Sequence, residues 1–296
     1  MGRIAEALKK AQRDRRRKLS PQGQAAQAAA LPEPVAGVEQ AASHGQPVVL
    51  PTAVPASIGQ IDPAIVACHD KTAAITEQYR TIRTRLLSQN PTNQHRSLAI
   101  TSSVPAEGKS VTTLNLAFAL AELHHLNVLV VDGDFRRHSL ARMLGVTAKP
   151  GLSEMILGKV SLDEARQGTV VENLHFIPAG ALGDENAADL LSSPTSSSLF
   201  EQLHEQYHYV LIDTPPATTV ADVGIIGQLC DGVLLVVRMN HTPEPLVKRA
   251  VRFLRANKVN LIGCIPAGYD EQSARYPYRY RHYAYHRYSG YSGQQK

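Results

Sequence analysis

The sequence predicts a doubly wound α/β domain with a mostly parallel sheet. Strand-like and helix-like segments alternate along the middle of the 296-residue chain. Several of the strand-like segments are unbroken apolar runs, such as VLVV, YVLI and VLLVV. Runs without polar alternation are typical of parallel strands that helices cover on both faces. We expect this domain to occupy residues 61–270, which is enough chain for one large core.

Apolar patterns and breaking residues place the individual elements. The predicted strands lie at 97–102, 127–132, 173–177, 209–213, 232–237 and 260–265. The predicted helices lie at 71–88, 109–123, 139–144, 153–157, 195–206 and 244–257.

The two ends of the chain differ from this domain in composition. Residues 1–18 hold eight Lys/Arg and two acids, and form either a docking arm for an acidic partner or anionic membrane surface, or a solvated terminus. Residues 19–60 are rich in Ala, Gln and Pro and are expected to be a disordered linker. Residues 271–296 are expected to be a mobile tail, because 276–291 carry seven of the 11 tyrosines and no Leu, Ile or Val.

The net charge of +5 comes from these ends. Residues 1–18 carry +6 and residues 275–296 carry +5, so the middle of the chain carries −6. An acidic middle does not indicate a nucleic-acid-binding core. The chain lacks a long apolar run and an N-terminal apolar segment, and its three cysteines are scattered. We therefore expect a cytoplasmic protein with free thiols.

A phosphate-binding loop is predicted between the strand SLAITS and the helix VTTLNLAFALAEL. Its backbone N–H groups and the helix N-terminus would hold phosphates, Lys109 would reach the β- and γ-phosphates, and the Ser110 hydroxyl would bind Mg²⁺. The usual pattern has Gly where Ser103 stands, and an ordinary turn is the alternative. The predicted nucleotide-contacting residues are Ser103, Val104, Pro105, Ala106, Glu107, Gly108, Lys109, Ser110 and Val111.

Three aspartates follow predicted strands and are expected to share the rim of the sheet with this loop. VLVVDGD places Asp132 and Asp134, and YVLIDTPP places Asp213. Asp213 suits the Walker B position, which orients Mg²⁺ through water. Of Asp132 and Asp134, one could bind the metal while the other accepts a hydroxyl proton. The alternative is that both cap the next helix.

Four features together resemble the bacterial tyrosine kinases of capsule and exopolysaccharide synthesis. They are SSVPAEGKS, VLVVDGDFRRHSLARMLG, YVLIDTPP and the terminal tyrosine cluster, in this order over residues 70–291. The resemblance implies a P-loop NTPase fold of the deviant-Walker, SIMIBI-like kind. It implies ATP and Mg²⁺ as ligands, Lys109, Asp132, Asp134 and Asp213 as catalytic residues, and Asp132 as the base. The implied metal set is Ser110, Asp132 and Asp213.

The resemblance also implies how the kinase is assembled and what it modifies. The family has a Glu-x-x-Arg-x-x-Arg motif that packs subunits into a ring, and Glu77, Arg80 and Arg83 stand in that register on the predicted helix 71–88. The implied partners are other copies of the chain, a membrane adaptor with an activating cytoplasmic segment that recruits the kinase to the membrane, and a cognate tyrosine phosphatase. The implied phosphorylation sites are Tyr276, Tyr278, Tyr280, Tyr283, Tyr285, Tyr288 and Tyr291.

Two other functions fit parts of the sequence. A positioning ATPase of the ParA or MinD kind would share the fold, but Val104 stands where those proteins carry a signature lysine. A scaffold with a vestigial loop would not need the retained lysine and aspartates. Two positions depart from the kinase pattern: His138 replaces a frequent Pro, and Ala267 replaces a frequent Asn.

Overall fold

The computed structural model describes residues 58–268, which form a seven-stranded sheet with helices on both faces. A 3-10 turn at Ile58–Gln60 comes first. The strands are β1 (Arg96–Ser102), β2 (Val128–Asp132), β3 (Gln167–Gly168), β4 (Leu174–Ile177), β5 (Tyr209–Asp213), β6 (Gly232–Arg238) and β7 (Leu261–Ala267). The helices are α1 (Val66–His69), α2 (Ala74–Ser88), α3 (Lys109–Ala121), α4 (Ser139–Leu144), α5 (Leu152–Ile156), α6 (Leu162–Ala165), α7 (Ala187–Leu191), α8 (Pro194–Gln206), α9 (Asp222–Gln228) and α10 (Glu244–Ala256).

The strand order is β3-β4-β2-β5-β1-β6-β7, and the sheet is parallel except for the two-residue edge strand β3. β2 and β5 are buried along their whole length, as their unbroken apolar sequences predict. One apolar cluster packs α1 to α4 on one face, and a second packs α5 to α10 on the other. The predicted doubly wound, mostly parallel architecture is confirmed.

Two details at the N-terminal end of the domain differ from the prediction, the start of the first long helix and a turn before residue 61. The helix predicted over 71–88 begins at Ala74, because the Asp70 side chain accepts hydrogen bonds from the N–H groups of Thr72 and Ala73 and holds a turn there. Ile58–Gln60, placed in the linker from the sequence, form a 3-10 turn, and Ile61 beyond them is buried. The domain core therefore begins immediately after this turn.

Sequence patterns predicted the short helices α4 and α5 but missed α1, α6, α7 and α9, of which α9 is the clearest case. It contains Gly224 and Gly227, which weaken the helical signal. Both glycines lie at close contacts: a Cβ on Gly227 would sit 2.8 Å from Val259, and one on Gly224 would sit 3.2 Å from Asn257. Tertiary packing therefore overrides local propensity in this segment.

Several predictions lie outside the described residues. They are the basic arm 1–18, the linker up to residue 57, and the tail 271–296 with its seven tyrosines. Within residues 58–268, none of the helices has the length and apolar character that crossing a membrane requires. All three cysteines in this range are free thiols.

Candidate active site

The carboxyl ends of three neighbouring strands bring the predicted residues together. β1 leads into the phosphate loop and pairs with β5, which ends at Asp213. β5 also pairs with β2, and in that register Asp132 lies directly opposite Asp213. Adjacent strands in a sheet are about 4.8 Å apart, so the lysine of the loop and the aspartates share one small volume. This edge is where open α/β sheets bind ligands.

The phosphate loop has the shape that phosphate binding requires. Gly108 has φ of +90° and serves as the N-cap of α3, a conformation that favours glycine. α3 begins at Lys109, so the helix N-terminus points its partial positive charge at the loop. The loop after β5 braces the start of the phosphate loop, since the Thr218 hydroxyl donates to the Ser103 carbonyl at 2.6 Å.

Lys109 is buried between two carboxylates. Its Nζ lies 3.2 Å from Asp134 Oδ2 and 3.1 Å from Asp213 Oδ2. Burial alone would lower the pKa of Lys109, but the charges of Asp213 and Asp134 raise it. The ammonium therefore stays protonated at neutral pH and supplies a positive charge beside the phosphate loop.

Asp132 differs from the other two aspartates because it forms no ion pair within residues 58–268. Its Oδ1 accepts a hydrogen bond from the Asp134 N–H at 3.0 Å, and its buried Oδ2 has no hydrogen-bond partner in that range. Burial, followed by the charge of Asp213, raises the pKa of Asp132 to about 8. At neutral pH the ionised form of Asp132 is therefore the minor one, but it is a stronger base than an ordinary carboxylate, and a pKa close to the operating pH suits a general base.

The helix-capping alternative for Asp132 and Asp134 does not hold. α4 begins at Ser139 with His138 as its N-cap, and no side chain caps it. Gly133 between the two aspartates explains their close approach to β5, because a Cβ there would lie 2.9 Å from the Asp213 carbonyl oxygen. The DGD sequence therefore places two carboxylates at the sheet edge.

Magnesium fits this set of oxygen atoms. The Ser110 hydroxyl donates to Asp213 Oδ2 at 2.6 Å, and the unpartnered Oδ2 of Asp132 belongs to the strand neighbour. Within residues 58–268 no three His, Cys, Asp or Glu side chains are grouped so as to hold a metal by themselves. Mg²⁺ is typically held by one or two protein oxygens together with substrate phosphates. The donors present are therefore those of a metal–nucleotide site.

Glu107 supports the loop from inside. Its buried carboxylate accepts hydrogen bonds from the Val104 N–H at 2.8 Å, from the Arg238 N–H at 3.2 Å and from the Thr242 hydroxyl. Arg238 ends β6 and Thr242 lies in the segment before α10. Glu107 thus ties the phosphate loop to the neighbouring strand and fixes the spacing of the loop's backbone donors.

We expect Glu107→Ala to weaken nucleotide binding about tenfold or more, because the change leaves buried donors unsatisfied and frees the loop. Titration calorimetry with Mg-ADP measures the change in Kd. Thr242→Val, which removes one of the three donors, is the matched control and should have a smaller effect. An unchanged Kd in Glu107→Ala, with only the melting temperature lowered, would limit Glu107 to a structural role.

A cavity of about 400 Å³ opens on the phosphate loop, and three of its lining residues were not predicted. Arg137, Ser139 and Arg142 follow the DGD sequence, and the Ser139 hydroxyl lies 3.0 Å from the Ser110 hydroxyl. The RRHSLAR sequence is basic, but only the fold places these side chains over the loop. The remaining lining residues are Ala106, Gly108, Lys109, Ser110 and Val111.

Both departures from the kinase pattern lie near this cavity. His138 has φ of +46°, which a Pro, with φ fixed near −65°, does not adopt. The segment after DGD therefore follows a path for which Pro is unsuitable. Ala267 is a neighbour of the loop, since its Cβ is 3.8 Å from the position of a Cβ on Gly108, and it offers no polar group there.

The residues of the predicted ring motif form a charged network within the chain. Arg80 pairs with Glu77 and with Glu122, which follows α3. Arg83 Nη1 donates to Glu122 Oε2 at 2.8 Å and to the Ala119 carbonyl at 2.6 Å. The hydrogen bond from Arg80, with Arg83 also contributing, lowers the pKa of Glu122. The Glu77 side chain is half exposed and is the member most open to a neighbouring molecule.

Comparison with known proteins agrees with this geometry. The ParA family model, described as the NUBPL iron-transfer P-loop NTPase, matches residues 93–267. The chain is 33% identical to the tyrosine-protein kinase YwqD of Bacillus subtilis over 204 residues, which are 69% of this chain and 85% of YwqD. It is 31% identical to the tyrosine-protein kinase CpsD of Streptococcus pneumoniae over 172 residues, 57% of this chain and 74% of CpsD.

A solved structure matches in the same region. The kinase domain of the Escherichia coli tyrosine kinase ETK superposes with a TM-score of 0.66 and 28% identity, covering 74% of this chain and 85% of that domain. The fold and the loop-and-carboxylate site define a P-loop NTPase of the ParA type. Within that class, the similarity to YwqD shows that the chain belongs to the bacterial tyrosine kinase family.

Proposed function

We propose that this kinase transfers the γ-phosphate of ATP to tyrosines of the tail 276–291 on a neighbouring copy of the chain. The observation that carries the proposal is the site at the sheet edge. It combines a charged lysine at 3.1–3.2 Å from two carboxylates with a third carboxylate, Asp132, that has an unpartnered oxygen and a raised pKa. A tyrosine-rich segment of the same chain supplies the acceptor hydroxyls.

Each group has a defined task in this reaction. The N–H groups of the phosphate loop and Lys109 hold the phosphates and stabilise negative charge as it moves to the leaving oxygen. Asp132 removes the phenol proton, the tyrosine oxygen bonds to the γ-phosphorus, and the bond to the β–γ bridging oxygen breaks to release ADP. Ser110 and Asp213 would hold Mg²⁺, which would neutralise part of the phosphate charge, and Asp132 would act beside them as the base.

Transfer between copies is tested by mixing two variants, neither of which can phosphorylate its own tail. One chain carries Lys109→Met and keeps its tail, and the other keeps Lys109 and has all seven tail tyrosines changed to Phe. With Mg-ATP, we expect phosphotyrosine on the Lys109→Met chain, detected by mass difference after isolation through a tag. If a wild-type chain modifies its tail but the mixture does not, transfer occurs within one chain.

The network of Glu77, Arg80 and Arg83 supports a ring contact through α2. Such a contact would bring the tail of one copy to the site of the next, and the exposed Glu77 offers an ion-pair partner on the outer surface. Charged side chains across an interface fix register and partner choice more than they add affinity. We therefore assign α2 to the subunit interface.

Substituting Glu77, Arg80 and Arg83 together by Ala should lower the assembled mass that light scattering measures. Because both arginines also contact Glu122 within the chain, Glu122→Gln is the control. It loosens those internal ion pairs and leaves the three interface residues in place, so assembly should persist. An equal fall in mass for both variants would mean that the network acts through packing of α2 on α3.

The cellular role follows from the family resemblance and from the sequence outside the described residues. We assign the kinase to control of capsule or exopolysaccharide synthesis and export. A membrane adaptor with a cytoplasmic activating segment would recruit it to the inner membrane surface, with the basic arm 1–18 as the docking element. A tyrosine phosphatase would remove the phosphates from the tail tyrosines.

A positioning ATPase is the second candidate, and the ParA family match supports its fold. Val104 stands at the position of the signature lysine of those proteins, and its N–H is held by Glu107. ATP hydrolysis without any tail phosphorylation would favour this candidate.

A further inference from the structure

The outer face of α10 is strongly basic on a domain that is otherwise acidic. Residues 244–258 contain five Lys/Arg and one Glu, whereas the rest of residues 58–268 contains 13 Lys/Arg and 19 Asp/Glu. All five cations are exposed. The basic stripe consists of Lys248, Arg249, Arg252, Arg255 and Lys258.

Helix geometry and packing keep this stripe in solvent. Lys248, Arg252 and Arg255 are spaced by four and three residues, so they lie on one face of the helix. The opposite face is fixed in the core by apolar residues that include Ala250 and Leu254, both fully buried. The cations therefore cannot turn inward to find acidic partners.

Most cations of the stripe also have no acidic side chain paired with them among the described residues. Lys248 pairs with Glu244 at 2.7 Å, but Arg249, Arg252, Arg255 and Lys258 form no ion pair in the part of the chain that the structure describes. Arg249, Arg252 and Arg255 lie on about 9 Å of α10, with Lys258 just beyond its end, and these cations repel each other, so an anionic ligand would relieve that repulsion. The stripe is thus suited to a ligand with several closely spaced negative charges.

The tail leaves the domain next to this helix. The described chain ends just after β7, where the Ala267 carbonyl accepts a hydrogen bond from the Met239 N–H at 2.9 Å. Met239 precedes α10 by a short segment. From residue 268, the eight residues to Tyr276 span up to about 26 Å, and α10 is about 20 Å long. The tyrosines 276–291 can therefore reach the whole stripe.

Charge decides which form of the tail would bind. Residues 269–296 contain five Lys/Arg and two acidic residues, so the unmodified tail is repelled by the stripe. Each phosphate adds about −1.5 to −2 charges, and three phosphates make the tail acidic. We propose that the stripe on α10 is a docking site for the phosphorylated tail of the same chain, which withdraws modified tyrosines from the active site of the neighbouring copy.

The test uses synthetic peptides of residues 269–296, unmodified or phosphorylated at Tyr280, Tyr283 and Tyr285. Fluorescence anisotropy reports their binding to the full chain carrying Lys109→Met. We expect the phosphopeptide to bind, the unmodified peptide not to bind, and binding to weaken as salt is added. Arg249→Gln, Arg252→Gln and Arg255→Gln together should weaken binding about tenfold.

Two controls separate this site from general charge effects. Lys71→Gln, Lys149→Gln and Lys159→Gln remove the same charge from exposed residues elsewhere and should leave binding unchanged. Replacing Arg249, Arg252 and Arg255 by Lys keeps their charge and should retain most of the phosphopeptide binding. Equal binding by the α10 Gln variant and the parent, or binding through α10 to anionic vesicles or duplex DNA but not to the phosphopeptide, would overturn the proposal.

The docking site rests on the proposed phosphorylation of the tail, but the two can fail separately. Chemical synthesis supplies the phosphates, so the binding result does not depend on kinase activity. A chain that binds the phosphopeptide and never modifies its own tail would contradict the proposed function and leave the docking site intact.

Discussion

Lys109→Met should reduce phosphate transfer to the tail by at least about a thousandfold. Within residues 58–268, Lys109 is the one basic side chain that pairs with both Asp134 and Asp213, and its position at the start of α3 aims it at the phosphates. Methionine has a similar length and no charge, so the variant removes the electrostatic contribution and keeps most of the packing. Transfer is measured as phosphotyrosine formed per chain with Mg-ATP.

Two further measurements make this result interpretable. Lys149→Met removes an exposed lysine elsewhere and should leave transfer unchanged. Thermal unfolding shows whether the Lys109 variant is folded, because its loss leaves Asp134 and Asp213 buried without their cation. A folded Lys109→Met chain that still modifies its tail at the wild-type rate would remove Lys109 from the catalytic residues.

Asp132→Asn should lower the rate of transfer about a hundredfold or more, since general-base catalysis contributes that much. The amide has nearly the same shape as the carboxyl but cannot accept the phenol proton. Nucleotide affinity should change much less than the rate, and calorimetry with Mg-ADP checks this. A rate loss that comes entirely from weaker nucleotide binding would argue that Asp132 acts on the metal and not as the base.

The same variant should be more stable than the wild type at neutral pH. The folded chain keeps the Asp132 proton up to about pH 8, whereas the unfolded chain releases it near the ordinary pKa of about 4. The stability from this group is thus complete at low pH and is lost as pH rises through the folded pKa. The free energy of unfolding of Asp132→Asn, relative to that of the wild type, should therefore rise by about 1.4 kcal/mol per pH unit between about pH 4 and pH 8.

Urea unfolding of the metal-free protein at several pH values between about 5 and 8 measures this difference. Asp184→Asn is a control that makes the same change at an exposed residue without an ion pair among residues 58–268, and it should give a nearly constant difference. A constant difference for Asp132→Asn as well would contradict the raised pKa and, with it, the electrostatic argument for the base.

The sequence predicted the parts of the site that depend on strand ends. β2 and β5 are unbroken apolar runs that end in aspartate, and parallel pairing alone brings Asp132 opposite Asp213. The phosphate loop was recognisable because a strand precedes it and a helix follows it. Local sequence therefore determined both the loop and the carboxylates, since each is attached directly to an element with a strong pattern.

Other parts of the site depend on contacts between distant segments. Glu107 accepts hydrogen bonds from Arg238 and Thr242, more than 130 residues along the chain, and no local pattern encodes that meeting. Arg142 reaches the cavity because α4 packs beside α3. The short α9 was hidden by its glycines, which packing requires.

Mapping phosphate on the wild-type chain by mass spectrometry tests the central claim most directly. The chain is incubated with Mg-ATP, alone and with the cytoplasmic segment of its membrane adaptor, and Lys109→Met is treated in parallel. We predict phosphotyrosine within residues 276–291 of the wild type and none in the variant. ATP hydrolysis with no phosphate on the tail under either condition would contradict the kinase assignment of this site.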